Sequence, residues 1–412
     1  MQFTNMYCKN ITSAVLIIFP LLMINVHHAA NFLYIFLFFI CTLQFIPKIN
    51  LWPIPEDLNS KYAFWLILCF GVYPSSIIIH YLFIGDWNAA GFDAPSRFLM
   101  AIPITWTLFK FQLKNLNLAY MAAIFGSWIA LAEACYQIVF LHQQYAMTYF
   151  TWPSNFGCMV LVLGIFSLGF YTGKPWRKIL AVSGLLATLI SSYLSQSRAS
   201  WLVIIVLSTA LILLRRKGTV LNPIKLMLIL VTTVLIFYFS VPAINARINM
   251  GWHELTAPLS DVSDTSIGLR RQFWKASFLM IKEHPVLGVG RFQFKAEKSK
   301  LVSQGILTPG AEGYAHPHNE LLFAQVELGI MGLIGILALY LGPSLYFLRS
   351  LSDSDQEIRR AAILGMMVVA CYFIFGLVDV MMVAWVMEAP VFIVGVLIPI
   401  FIINSRKLSL LK

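Results

Sequence analysis

A short polar stretch at residues 313–320 carries the side chains best suited to chemistry. It reads Gly-Tyr-Ala-His-Pro-His-Asn-Glu and places two histidines, an amide and a carboxylate within five residues. A histidine can accept a proton near neutral pH, so His318 is a candidate general base. The structural alternative is that Asn319 caps the apolar helix that follows and thereby fixes the backbone that aims His318. His316 lies across a proline and is expected to point elsewhere.

Arginines in two other segments could bind an anion. Arg198 lies in a short polar link between two apolar runs, and Arg270 and Arg271 adjoin in a hydrophilic segment that also contains Trp274. The guanidinium group offers a planar fork of donors that matches phosphate oxygens. One alternative is that Arg198 reaches lipid phosphate from a helix end. The other is that Arg270 and Arg271 only keep the surface of their helix hydrated.

The same residues do not predict a metal or nucleotide site. His316 and His318 are two residues apart, whereas a metalloprotease helix carries histidines four apart around a glutamate. The Gly-Val-Gly turn at 288–290 lacks the third glycine of a dinucleotide-binding loop. We therefore expect neither a metal ion nor a cofactor.

The composition indicates a polytopic membrane protein. Of the 412 residues, 59% are hydrophobic and 11% are charged, which is too apolar for a soluble globular domain. Because a membrane helix needs about 20 mostly apolar residues, we predict twelve spans. They cover 11–26, 31–47, 62–82, 98–112, 118–140, 156–172, 179–195, 200–214, 224–242, 320–346, 361–378 and 384–404.

The basic residues predict the orientation of these spans. With the N-terminus inside, 18 of the 29 lysines and arginines fall in inside segments, and nine of the remaining 11 lie in one long loop. Only Arg97 and Arg198 are left for the other outside connections. Cytoplasmic loops are enriched in Lys and Arg, so both termini are predicted to be cytoplasmic. This topology accounts for most of the net charge of +11, so the charge is no reason to expect a nucleic-acid partner.

The long loop, residues 243–319, is predicted to form a helical domain outside the membrane. Leu269, Phe273, Ala276 and Met280 recur at helical spacing within 267–283, and a second helix is expected from Phe294 to about Gln304. The chain thus divides into spans over 1–242, the external loop over 243–319, and spans with a tail over 320–412. Arginines and a histidine outside the membrane suit a transfer reaction, in which a lipid-linked donor carries a phosphate leaving group.

Four ordered segments resemble the bacterial O-antigen ligase family. They are Ser-Gln-Ser-Arg-Ala-Ser-Trp-Leu at 195–202, Gly-Leu-Arg with Trp274 at 268–274, His-Pro-His-Asn-Glu-Leu at 316–321 with Glu-Leu-Gly at 327–329, and Gly-Leu-Val-Asp-Val at 376–380. The resemblance covers roughly 180–395. It implies an all-α integral membrane glycosyltransferase with a GT-C-like bundle of about twelve helices and one large periplasmic loop.

The resemblance also implies substrates and residue roles. A polysaccharide would pass from undecaprenyl diphosphate to the lipid A–core oligosaccharide at the periplasmic face of the inner membrane, with inversion and without a metal. By position, Arg198 and Arg270 would hold the diphosphate, with Arg271 able to replace Arg270, and His318 would be the base. Arg291 and Asn319 would be further substrate contacts.

Three other functions stay open at this point. An O-antigen polymerase and a protein O-oligosaccharyltransferase would use the same donor, and a polysaccharide or lipid transporter would line a pathway with buried charges. The single late external loop followed by His-Asn favours the ligase over the polymerase. The small number of charges within the spans disfavours the transporter.

Overall fold

The described residues of the computed structural model form an all-α protein. They are 2–43, 58–85, 87–110, 115–148, 151–197, 232, 242–384 and 386–410. Besides helices, these residues contain a short 3₁₀ turn at Pro309–Ala311 and an isolated bridge between Thr148 and Thr151. Arg198 and most of the region up to 241 lie outside them.

The helices follow the order predicted from hydropathy. They are α1 Gln2–Leu22, α2 Ala29–Thr42, α3 Leu58–Ile84, α4 Ala89–Lys110, α5 Leu118–Val139, α6 Pro153–Gly169, α7 Pro175–Leu194, α8 Pro242–Thr256, α9 Leu259–Val262, α10 Ser266–Glu283, α11 Phe294–Ser303, α12 Glu320–Ser350, α13 Gln356–Gly376 and α14 Glu388–Leu410.

Among the described residues, six helices are long and apolar enough to cross a membrane. They are α3, α5, α7, α12, α13 and α14, and shorter apolar helices occur at Tyr7–Leu22, Ala29–Thr42 and Pro153–Gly169. The predicted spans 200–214 and 224–242 lie outside the described residues, and each of the other predicted spans coincides with a helix. The membrane class and the all-α fold are therefore confirmed, whereas the count of twelve stays a prediction.

Neighbouring helices run antiparallel and give the bundle two distinct ends. Ser154, at the start of α6, hydrogen-bonds to Asp379, just after the end of α13. We call this end, where α12 also begins, the site end. At the opposite end, Asp355 precedes α13 and pairs with Arg406 near the end of α14. We call this the distal end.

Residues 243–319, which we call the external segment after their predicted position, pack a small core of their own against α12. Phe273, Ala276 and Met280 of α10 are buried together with Phe294 of α11 and Val326 of α12. The predicted helices at 267–283 and 294–304 are thereby confirmed, with the predicted apolar face turned inward. The small core joins the external segment to the first turns of α12.

A break in α12 receives the external segment. Gly329 lies at φ 61° and ψ −152° inside this helix, a conformation open almost only to glycine. Gly288 has φ 72°, and a Cβ added to either glycine would lie within 2.4 Å of backbone atoms of the other segment. Three backbone hydrogen bonds join the segments: Val289 to Val326 (2.8 Å), Gly290 to Glu327 (3.0 Å) and Ile330 to Pro285 (2.9 Å).

Candidate functional site

His318 is fixed by the start of α12. Asn319 has extended backbone, its Oδ1 accepts from the Leu322 N–H at 3.0 Å, and its Nδ2 donates to the Leu377 carbonyl at 3.2 Å. The predicted N-cap is thus confirmed, and the same side chain ties α12 to the segment after α13. His318 has φ 51°, a left-handed conformation that few residues other than glycine adopt. The cap and this turn together aim the imidazole ring across the site end.

His318 contacts a carboxylate that sequence reasoning did not assign. Its Nδ1 lies 3.1 Å from Oδ1 of Asp379, and Ser154 donates a hydrogen bond to Oδ2 of Asp379 at 2.8 Å. Burial raises the pKa of Asp379, but the hydrogen bond and charge of His318, with His316 and Ser154, bring it below the usual value. An ionised carboxylate only accepts hydrogen bonds, so Nδ1 of His318 donates and Nε2 is left as the proton acceptor.

Glu320 holds the segment that carries Asp379. It is fully buried, and its Oε1 accepts from the backbone N–H of Met382 at 2.5 Å and of Val383 at 3.2 Å. Its Oε2 accepts from the Tyr340 hydroxyl at 2.6 Å. The final glutamate of the polar stretch therefore organises the connection between α13 and α14 and does not face the site.

A second buried carboxylate anchors the start of α6. Asn155 follows Ser154 and donates to Oε1 of Glu388 at 2.6 Å. Tyr372 donates to the Glu388 carbonyl at 3.2 Å. These bonds fix the first turn of α6 against α13 and α14, so Ser154 is held where it meets Asp379.

Two aromatic side chains of the external segment, Phe273 and Tyr314, form a wall over His318. Phe273 stacks on its ring, with the centroids 5.9 Å apart and the planes 24° apart, and Tyr314 lies edge-on at 5.9 Å. Lys298 is buried beneath this wall: its Nζ lies 4.9 Å from the centre of the Phe273 ring and donates to the Tyr314 carbonyl. Burial lowers the pKa of Lys298 to about 8. The external segment thus supplies one side of the site.

His316 faces the site, and the expectation that it points elsewhere is wrong. Its ring centroid is 4.4 Å from that of His318, and its Nδ1 is 4.0 Å from Oδ1 of Asp379. The intervening proline does not turn the two rings apart, because the positive φ of His318 folds the chain back on itself. Burial lowers the pKa of His316 to about 4, with the neighbouring His318 and Lys298 contributing.

We predict that His316 makes the protein sensitive to acid. Its pKa in the folded state lies below the usual 6.5, so the unfolded state takes up the proton first and stability falls as the pH drops from 6.5 towards 4. Between pH 6.5 and 5 the loss is about 1–2 kcal/mol. His316→Gln should flatten the dependence of the thermal unfolding midpoint on pH across that interval.

The matched control is His284→Gln, which removes an exposed histidine from the same external segment. This variant should keep the wild-type dependence on pH. Parallel curves for the wild type and His316→Gln would show that His316 is not the sensor.

The adjacent arginines Arg270 and Arg271 have different surroundings. Arg270 donates to the Ser266 hydroxyl at 2.8 Å, within its own helix, and lies one turn before Phe273, which stacks on His318. Arg271 donates to the carbonyls of Ala257 at 2.9 Å and Glu254 at 3.3 Å, where α8 ends. Arg271 therefore joins α8 to α10, whereas Arg270 lies on the side of α10 nearer the site.

Arg291 lies in a place unsuited to the substrate contact expected from the sequence. Its side chain is 1% exposed, and Nη1 lies 2.5 Å from Oε2 of the fully buried Glu327. Its Nε donates to the Gly91 carbonyl at 3.0 Å and Nη2 to the Val383 carbonyl at 3.2 Å. The guanidinium links α4, α12 and the segment after α13 inside the protein. Arg198 lies outside the described residues.

The histidines and Asp379 have ligand types that a metal could use. The ligand atoms of His316, His318 and Asp379 lie within 4.8 Å of one another. Two histidines and one carboxylate form a known donor set for transition metals. However, the short His318–Asp379 contact already has the geometry of a hydrogen bond. The absence of a metal requirement stays a prediction, to be tested by chelation.

Comparison with known proteins finds a family match over part of the chain. Residues 183–337 match the family model described as O-antigen ligase, which confirms the resemblance over those residues. The match includes Arg198, Arg270 and His318 and stops before Asp379. An uncharacterized protein of Haemophilus influenzae is 27% identical over 364 residues, covering 84% of this chain and 86% of the relative.

Proposed function

We propose, from the O-antigen ligase match, that this protein is a glycosyltransferase of lipopolysaccharide synthesis. It transfers O-antigen polysaccharide from undecaprenyl diphosphate to the lipid A–core oligosaccharide. The observation that carries the proposal is the His318–Asp379 pair at the site end of an apolar bundle, within 3.1 Å and under a wall supplied by the external segment. A base in this place can act on the hydroxyl of a lipid-borne acceptor, and the reaction needs no soluble donor.

The proposed reaction follows from the orientation of His318. Its Nε2 takes the proton from an acceptor sugar hydroxyl, and the hydroxyl oxygen attacks the anomeric carbon of the donor. The bond from that carbon to the diphosphate oxygen breaks, and undecaprenyl diphosphate leaves with the electron pair. Asp379 holds the Nδ1–H tautomer and stabilises the imidazolium that forms. A single direct attack inverts the anomeric centre.

Arginines would stabilise the charge that develops on the leaving diphosphate. Arg270 is the candidate within the described residues, because its guanidinium donates to Ser266 of the same helix and lies about one turn before Phe273, which stacks on His318. Arg198 is proposed for the same role from the sequence alone. We propose that Arg291 orders the site from within and that Asn319 aims His318.

We expect Arg270→Ala to lower transfer about 10²–10³-fold, the usual loss when one donor to a developing oxyanion is removed. Arg271→Ala is the matched comparison, because it removes the same charge from the next position. Since Arg271 caps carbonyls at the end of α8, its loss should mainly lower the thermal unfolding midpoint. Transfer is measured per folded molecule with purified donor and acceptor. The reverse ranking would assign the diphosphate to Arg271.

The proposed orientation puts the site end at the periplasmic face of the inner membrane, with both termini cytoplasmic. The distal ends of α12, α13 and α14 carry Arg349, Arg359, Arg360, Arg406 and Lys407, as the enrichment of basic residues inside requires. Residues 243–319 form the periplasmic domain in this arrangement, between spans at 1–242 and 320–412. Labelling of cysteines introduced at either end tests it.

The function is tested by gel analysis of lipopolysaccharide from a strain that lacks the gene. Loss of a ligase leaves undecaprenyl-linked polymer unattached, with bare lipid A–core. Single repeat units on the core would indicate a polymerase instead, and unchanged lipopolysaccharide with unmodified protein targets would indicate a protein O-oligosaccharyltransferase.

In vitro transfer should persist in a chelator, because the proposed base needs no metal. Loss that a divalent cation restores would assign the histidines to a metal.

A further inference from the structure

A basic pocket lies at the distal end, away from the proposed active site. It has a volume of about 300 Å³, and Lys178 of α7 meets Arg359 and Arg360 of α13 around it. Thr172 and Gln356 add a hydroxyl and an amide to its wall. The pocket therefore combines three positive charges with neutral hydrogen-bonding groups, and none of its lining residues is acidic.

The positive charges of this pocket are not neutralised by the acidic residues nearby. Asp355 accepts from the N–H groups of Glu357 and Ile358 and from Arg406. Glu357 accepts from Asn117 at 2.8 Å. Among the residues that the structure describes, no ion pair involves the three cations of the pocket.

Two further features point to an anionic occupant. The Nε atom of Arg360 is buried and makes no hydrogen bond within the described part of the chain, and a buried donor without a partner is costly. The N-terminus of α7 adjoins the pocket, and Lys174 provides no side-chain cap there. Unpaired N–H groups at a helix N-terminus add partial positive charge.

The position of the pocket along the bundle indicates that its ligand is a lipid. Ser154 and Tyr171 lie at opposite ends of α6, and 17 residues at 1.5 Å each separate them by about 25 Å, close to the thickness of the hydrocarbon core. Trp176 and Ile179 on α7 are 48% and 69% exposed beside Lys178. They offer apolar surface to acyl chains and an aromatic ring to the interface.

We propose that this pocket binds the phosphate of an anionic phospholipid headgroup in the leaflet opposite the active site. The headgroup phosphate lies between Lys178, Arg359 and Arg360 and satisfies the Arg360 Nε. It ties the turn between α6 and α7 to the start of α13. The site does not depend on the proposed glycosyl transfer.

The test uses the full chain, delipidated in neutral detergent and titrated with phosphatidylglycerol or phosphatidylcholine. Binding is followed by native mass spectrometry and by the thermal unfolding midpoint. Phosphatidylglycerol should bind saturably, and the double variant Arg359→Gln/Arg360→Gln should weaken it about 10–30-fold, from about 1 kcal/mol per basic residue. Arg349→Gln/Lys407→Gln removes the same charge at the distal end but outside the pocket, and it should bind like the wild type.

Several outcomes would overturn the proposal. They are equal binding of phosphatidylcholine, equal losses in the two double variants, and inorganic phosphate at millimolar concentration that replaces the lipid and gives the same stabilisation. The last result would assign the pocket to a soluble phosphate compound. If the pocket variant does not fold, Lys178→Gln tests the same site from α7, with an expected weakening of about 5-fold.

Discussion

Replacement of His318 is expected to lower glycan transfer by about 10²–10⁴-fold, the usual contribution of a general base. The variant of choice is His318→Asn, because asparagine tolerates the left-handed backbone at φ 51° but its amide cannot accept the proton. His318→Ala removes the ring as well and strains the same turn. If both variants lose transfer to the same extent, the loss comes from the missing base and not from a disturbed fold.

The measurement is single-turnover transfer from a lipid-linked donor to lipid A–core, with binding of the donor followed separately. Donor binding should change little, because the proposed role of His318 is to act on the acceptor. Asp379→Asn should lower kcat with little effect on KM, since it retains a hydrogen-bond acceptor for Nδ1 but no charge to stabilise the imidazolium. His284→Ala, on the exposed surface of the same segment, should transfer normally. A His318→Asn protein with wild-type rates would exclude the base assignment.

The second large effect concerns the ion pair between Arg291 and Glu327. Both side chains are almost fully buried, at 1% and 0% exposure, so removing one partner leaves a charge without compensation. We expect Arg291→Met to destabilise the fold by about 3–5 kcal/mol. The double variant Arg291→Met/Glu327→Leu should recover part of that loss, because an apolar pair of similar volume can replace a buried ion pair.

Thermal unfolding midpoints in detergent measure this coupling. The Phe292 N–H donates to Glu327 at 2.7 Å, so recovery in the double variant will be incomplete. The exposed ion pair between Lys300 and Glu297 is the matched control, and Lys300→Met should change the midpoint little. If the single and double variants unfold at the same temperature, the two charges are not coupled.

The sequence predicted the parts of this protein that depend on local patterns. The apolar period in 267–283 and the Asn319 cap are properties of a few adjacent residues, and both were confirmed. The pairing of His318 with Asp379, 61 residues apart, depends on how α12 and α13 pack. In the sequence, Asp379 was only one residue of the Gly-Leu-Val-Asp-Val segment at 376–380, and that segment identifies no partner for it.

Long-range contacts also explain why Arg291 and His316 were misplaced. Arginine in a polar segment has the same appearance in sequence whether it faces solvent or a buried glutamate, and Glu327 lies 36 residues away. The direction of the His316 ring depended on the positive φ of His318. No glycine at that position indicated such a backbone conformation in the sequence. The Arg198 assignment and the two spans after it remain predictions.

The break in α12 at Gly329 has a consequence for engineering. Because Val289 and Gly290 donate to carbonyls of this helix, the external segment and the bundle share one backbone network. A chimera that exchanges 243–319 between relatives, in order to change which glycan is accepted, would separate Gly288 from Gly329. Such a graft should succeed only when its boundary is moved beyond Gly329, so that both glycines come from the same parent.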